Sequence, residues 1–197
     1  MAKYYVLSDL HLASGILNDF SDGALSGLKS FLDHVEDDAT VVFNGDTLDF
    51  AQTPVPIGNI EDADFVEKNL KKVADLPVLD NPLVGTTEKE SKLKLELLIK
   101  SCPDFWQALS DTHGRGVTFH FIAGNHDPDI LWDSVWERLC QEVGGQDTSR
   151  LHLGKKLELK TTSPEKTVVS IFHGHQEVGP ANKFENWSYE KLGPVLA

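Results

Sequence analysis

Cysteine and basic residues are the scarce components of this sequence. Cys102 and Cys140 are the two cysteines in 197 residues. They are too few and too far apart for a disulfide framework, which favours a reducing cytoplasm. Lysine and arginine number 18 against 31 aspartates and glutamates, a net charge of −13 with histidine neutral. The clustered basic residues of a broad nucleic-acid-binding surface are therefore missing. A phosphorylated substrate stays open, because bound metal ions supply positive charge locally. No apolar run is long enough to cross a bilayer, and the chain enters a strand pattern at Lys3 without a charged-then-apolar leader. A cytoplasmic protein with no transmembrane segment is the expectation. What is present is ordinary: 40% apolar and 25% charged residues, enough for one domain with a sizeable core.

Four strand patterns end in the same kind of chemistry. Lys3 to Ser8 runs into Asp9-Leu10-His11, and Thr40 to Phe43 into Asn44-Gly45-Asp46-Thr47-Leu48-Asp49. Val117 to Ala123 runs into Gly124-Asn125-His126-Asp127, and Thr167 to Phe172 into His173-Gly174-His175. In open α/β sheets, ligands collect outside the carboxyl ends of the strands. One Asp-x-His or one Gly-Asp turn is a weak signal; four polar tips in strand-end register are a strong one.

Between the tips the pattern alternates. Asp22 to Val35 has a helical apolar face with Ser21 as its N-cap, so the opening is a βαβ unit with parallel strands. Residues 51–116 break the alternation and read as a helical insertion, with helices over Asp62–Val73, Glu88–Lys100 and Pro103–Leu109. Ile130 to Val143 is expected as one helix ended by Gly144-Gly145. Short strands follow at Leu151–Leu153 and Lys156–Lys160. His34 and His113 are expected at the surface, His120 and His152 in packing roles. The fold class is α/β.

A carboxylate and a neutral imidazole two residues apart on extended backbone point to one side and suit a divalent transition metal. Asp9-x-His11, Gly45-Asp46-x-x-Asp49, Gly124-Asn125-His126-Asp127 and His173 together resemble the signature of the calcineurin-like metallophosphoesterase superfamily. The resemblance runs from Asp9 to at least His173. The long insertion and Phe172-His173-Gly174-His175 look most like the bacterial branch that includes UDP-diacylglucosamine hydrolases.

The resemblance implies a layered fold, mixed β-sheets flanked by helices, holding two divalent ions (Mn, Fe or Zn, with Mn favoured) about 3.5–4 Å apart. Asp9 and His11 would bind the first and Asn125 and His173 the second, with Asp46 bridging. His126 would be the general acid or phosphate-contacting imidazole, oriented by Asp49, and His175 a possible substrate contact. The implied reaction is hydrolysis of a phosphomonoester, phosphodiester or pyrophosphate bond by a metal-bridging hydroxide. The substrate would be a phosphorylated small molecule or a lipid-linked one.

One departure stands out. The family closes its motif list with Gly-His-x-His, whereas Gly174-His175-Gln176-Glu177 has glutamate where the second histidine belongs. The expectation is that the true motif lies beyond Ala197, in a chain cut short at its C-terminus. The competing reading is a non-catalytic binding or scaffold module with an incomplete metal site. A nuclease of the same superfamily is the weakest of the three, given the acidic balance.

Overall fold

The computed structural model describes residues 3–13, 22–53, 87–162 and 165–174. The expected helix at 62–73, the Ser21 cap and His175 lie outside them. Four strands form a parallel sheet: β1 (Tyr4–Leu7), β2 (Thr40–Asn44), β3 (Thr118–Ile122) and β4 (Leu151–Gly154), side by side in that order. Tyr4 pairs with Thr40, Thr40 with Thr118, and Phe119 with Leu151. Each new strand is added at the same edge. Right-handed crossovers then place the connecting helices among the described residues on one face.

Those helices are α1 (Asp22–His34) between β1 and β2, α2 (Glu88–Ser101) and α3 (Pro103–Gly114) between β2 and β3, and α4 (Asp133–Gly144) between β3 and β4. The burial pattern agrees with this placement. Val41, Phe43, Phe119 and Phe121 sit in one cluster with Leu32, Leu98, Trp106, Leu109 and Leu139. The opposite face is open at its edge, where Tyr4 is 42% and Val6 49% exposed, and closed toward the centre at Val42 and Ile122. A hairpin of β5 (Lys156–Thr162) and β6 (Glu165–Phe172) stands apart from the parallel sheet, pairing antiparallel with a register shift between Leu159 and Lys160. Among the described residues no helix is long and apolar enough to cross a membrane.

Local chemistry sets the helix ends. Thr87 and Glu90 form a reciprocal capping box at the start of α2, and Pro103 opens α3 where its missing N–H costs nothing. Within the segment 51–116, α2 and α3 contribute to the same apolar cluster as the sheet, so this part serves as the β2-to-β3 crossover. Arg138 of α4 clamps α2 through two bonds to Glu96, at 2.6 and 3.3 Å, while also reaching Glu142 at 2.8 Å.

Two expectations need correction. The single helix from Ile130 is split: Pro128–Leu131 form a 3-10 turn and α4 starts at Asp133. Trp132 between them is extended (φ −70°, ψ 130°), which ends one run of helical hydrogen bonds before the next begins. His113 is not at the surface. Helix α3 continues past Leu109 to Gly114 and brings His113 down over β3, 3% exposed and stacked on Phe119 with ring centroids 6.5 Å apart.

The buried His113 Nε2 has no hydrogen-bond partner. Burial first, and then the Arg150 cation, depress its pKa, with Asp147 opposing. A depressed imidazole keeps its full stability contribution above the unfolded value near 6.5 and loses it as pH falls, because the unfolded chain takes up protons first. Between pH 7 and pH 5.5 this imidazole therefore subtracts stability from the ion-free protein, while Asp127 and His173, whose pKa values rise on folding, add to it. Thermal unfolding should show the melting temperature of the wild type falling relative to that of His113→Leu across this window; a constant difference between the two would show that His113 carries no pH dependence.

Candidate metal centre

The loops beyond β1 and β2 continue to pair after the strands end. Asp9 N donates to Gly45 O (3.2 Å), His11 N to Asp46 O (2.8 Å), Leu12 N to Thr47 O (3.0 Å) and Asp49 N to Leu12 O (2.7 Å). This zipping fixes Asp9 and His11 against Asp46 and Asp49. Three of these residues have left-handed backbone: Asp9 at φ 56°, His11 at 48° and Asp46 at 51°. Each such non-glycine residue costs on the order of 1–3 kcal/mol and persists where its surroundings over-determine it.

The third loop is brought in by Asp127. Its carboxylate is fully buried and accepts four backbone N–H groups: Gly124 (2.6 Å) and Asp46 (3.2 Å) on Oδ1, Thr47 (2.8 Å) and Leu48 (3.3 Å) on Oδ2. Burial pushes its pKa up to about 6 against those amides, with the Asp46 charge adding to the rise. The four amide donors favour its ionised form. Asp46 reciprocates, its Oδ1 accepting His126 N at 2.8 Å, and Phe50 N reaches His126 O at 3.1 Å.

Two glycines permit this approach. A Cβ on Gly124 would come within 2.5 Å of the Asp46 nitrogen, and one on Gly45, at φ 78°, within 2.7 Å of the His173 Cβ. Neither position has room for a side chain.

Six of the titratable residues expected at strand tips gather here in two groups, Asp9 with Asp46 and His173, and His11 with Asp49 and His126. Within each group the donor atoms lie within 4.8 Å of one another. This grouping cuts across the ligand division that the family resemblance implies, which joins Asp9 to His11. Asp46 Oδ2 lies toward both groups, 3.4 Å from His173 Nε2 and 3.8 Å from His11 Nε2. The strand tips are not all on one sheet: His173 follows β6 of the separate hairpin and still reaches the centre. Asn125 sits on the third loop, exposed to solvent.

Tautomers follow from the acceptors. His173 Nδ1 lies 2.8 Å from the Asn44 carbonyl, which can only accept, so Nδ1 carries the hydrogen and Nε2 faces Asp46. Asp49 Oδ2 lies 3.0 Å from His11 Nδ1 and 3.2 Å from His126 Nδ1, while its Oδ1 accepts Gln52 N at 2.8 Å. One carboxylate therefore orients two imidazoles, whose rings meet edge to face with centroids 4.7 Å apart. A carboxylate within hydrogen-bond reach of two ring nitrogens sets the direction of both rings.

The electrostatics suit a cation. Asp46 and Asp49 are 3% and 0% exposed. Burial pushes the Asp46 carboxyl up, but the His173 hydrogen bond and the His126 N–H outweigh it and hold it below its usual value. That same Asp46 bond raises His173 to about 9 against burial, with help from Asn44 O. Buried carboxylates beside imidazoles that present Nε2 form a donor set that could hold a metal ion. The residues present fit a divalent ion.

No family model, curated protein or solved structure matches the chain in the comparisons made. Asp127, Gly45 and Gly124 emerge as determinants of the site beyond the expected ligands. The three-residue step from Gly124 to Asp127, short enough for a side chain to bond its own loop, is the signal that could have found the first.

Asp127→Asn keeps the shape but turns an NH2 group toward amide donors. It should cost about 2–4 kcal/mol in urea unfolding of the ion-free protein, because buried donors lose a charged acceptor. A cost under about 1 kcal/mol would show that the carboxylate does not hold the loops together.

Proposed function

We propose that this chain is a metal-dependent phosphoric ester hydrolase of the calcineurin-like metallophosphoesterase type. The observation that supports the reading best is Asp46, a buried carboxylate facing two histidine-carboxylate groups at 3.4 and 3.8 Å. Asp46 would bridge two ions; the family pattern would give Asp9 and His11 to one and Asn125 and His173 to the other, whereas the donor distances group Asp9 with His173 and His11 with His126. Divalent ions held there would supply Lewis acidity toward phosphoryl oxygens and a water nucleophilic at neutral pH.

The chain's own residues do the rest. His173 is held by Asn44 O with Nε2 inward. Asp49 sets His11 and His126 with Nδ1 toward itself, leaving Nε2 of each ring for chemistry. His126, one-third exposed, is placed to meet substrate and to donate a proton from Nε2 to the leaving oxygen. The net charge of −13 favours a compact phosphorylated metabolite or a lipid-linked phosphate over nucleic acid.

Two outcomes test the reading. Asp46→Asn should lower bound Mn at both positions, and Asp9→Asn mainly at one, as metal per chain after gel filtration. Equal losses in the two variants would count against the bridging role.

His126→Gln should retain metal and slow hydrolysis of alkyl phosphoesters by roughly 10²–10⁴-fold, the usual worth of a positioned acid. Nitrophenyl esters, whose leaving groups need no proton, should slow much less. If the variant loses metal or slows both ester types equally, His126 is a ligand or a phosphate clamp. Stoichiometric metal without hydrolysis of any phosphoester would favour a scaffold.

A further inference from the structure

Helix α2 presents an apolar face of Leu93, Leu95, Leu97 and Leu98 to the interior, and among them it buries a lysine. Lys94 is 0% exposed, and its ammonium donates to the Phe50 carbonyl at 2.9 Å. The carboxylates of Asp129, Glu90 and Asp49 lie close enough to favour its charged form, while burial pulls its pKa down to about 8. Beside it, the buried Ser91 hydroxyl donates to Asp129 Oδ1 at 2.6 Å. A buried ammonium is costly, and an apolar residue of the same volume would often serve stability equally well. Its reason for being there lies in what it touches.

Phe50 is the residue after Asp49. Its carbonyl takes Lys94 and its N–H takes His126 O (3.1 Å), while Gln52 N caps Asp49 Oδ1 and Thr53 Oγ1 bonds Asp49 O (2.7 Å). The peptide that follows Phe50, one residue beyond Asp49, is therefore gripped from the helix side by one cation. We propose that Lys94 is a positioning residue. Its ammonium, anchored between α2 and the Phe50 carbonyl, holds the Asp49 turn at the place where one carboxylate oxygen reaches both His11 and His126. Lys94 touches neither substrate nor ion and acts through Asp49. Its effect on turnover rests on the hydrolase reading, but its effect on Asp49 does not.

The test pairs a structure with a kinetic cycle. In crystals of Lys94→Met, Asp49 Oδ2 should have left hydrogen-bond distance of at least one of the two imidazole Nδ1 atoms. With added Mn, the full chain should lose roughly 10–100-fold in kcat, the scale expected of a displacement near 1 Å, with KM within about threefold. Lys92→Met, an exposed neighbour on α2, should match the wild type. The double variant Asp49→Asn/Lys94→Met should be no slower than Asp49→Asn alone, because both act through one carboxylate. A role confined to folding would lower the melting temperature and the active fraction without changing kcat per folded molecule. If Lys94→Met does not fold, Lys94→Gln, too short to reach Phe50 O, takes its place. Additive losses in the cycle, or an Asp49 still 3.0 and 3.2 Å from both rings, would overturn the proposal. A wild-type protein inactive on every phosphoester would count against the hydrolase reading, and the position of Asp49 would still decide the role of Lys94.

Discussion

One carboxylate, that of Asp127, decides whether the loops of this protein form a site or merely end three strands. It belongs to neither of the two candidate donor groups. It collects the amides of Gly124, Asp46, Thr47 and Leu48, and so closes the loop after β3 onto the loop after β2. The return bond from His126 N to Asp46 Oδ1 spans 80 residues of sequence. Four amides left without this acceptor in a dry interior would be costly. The loops are therefore held together before any ion arrives. The donor atoms of both groups are pre-assembled, and the like charges that assembly brings together make a cation welcome.

The candidate donor residues were legible in the sequence because each strand tip carries its chemistry in a few consecutive residues. Asp9-x-His11, Asp46-x-x-Asp49 and His126 are local patterns, and parallel β1, β2 and β3 deliver them to one edge. The parallel sheet was legible for the same reason: buried runs such as Val41–Phe43 alternate with helical faces such as that of α1. Grouping was not legible. Which carboxylate faces which imidazole depends on left-handed turns at Asp9, His11 and Asp46, and aspartate and histidine adopt that conformation only where tertiary contacts compel it. The second duty of Asp49, orienting His11 as well as His126, is likewise a product of loop-on-loop contact.

Where periodicity misled, tertiary packing was the reason. His113 beside Gly114 has the composition of a loop, yet α3 runs five residues beyond its last leucine because its inner face continues over Phe119. Lys94 sits in a helix rich in leucine and lysine, Glu88–Ser101. Burial against the Phe50 carbonyl cannot be seen in that pattern, since a long cationic side chain is normally found in water.

The left-handed turns at Asp9, His11 and Asp46 also bear on how such a protein tolerates change. Glycine would relax the backbone at each of these positions, so a search guided by conformational energy alone would nominate the candidate ligands for replacement. Robustness and chemistry compete here for the same three residues. A thermostable variant is better sought in the helix layer, at the α1–α3 and α2–α4 contacts, where improved packing leaves the strained turns untouched.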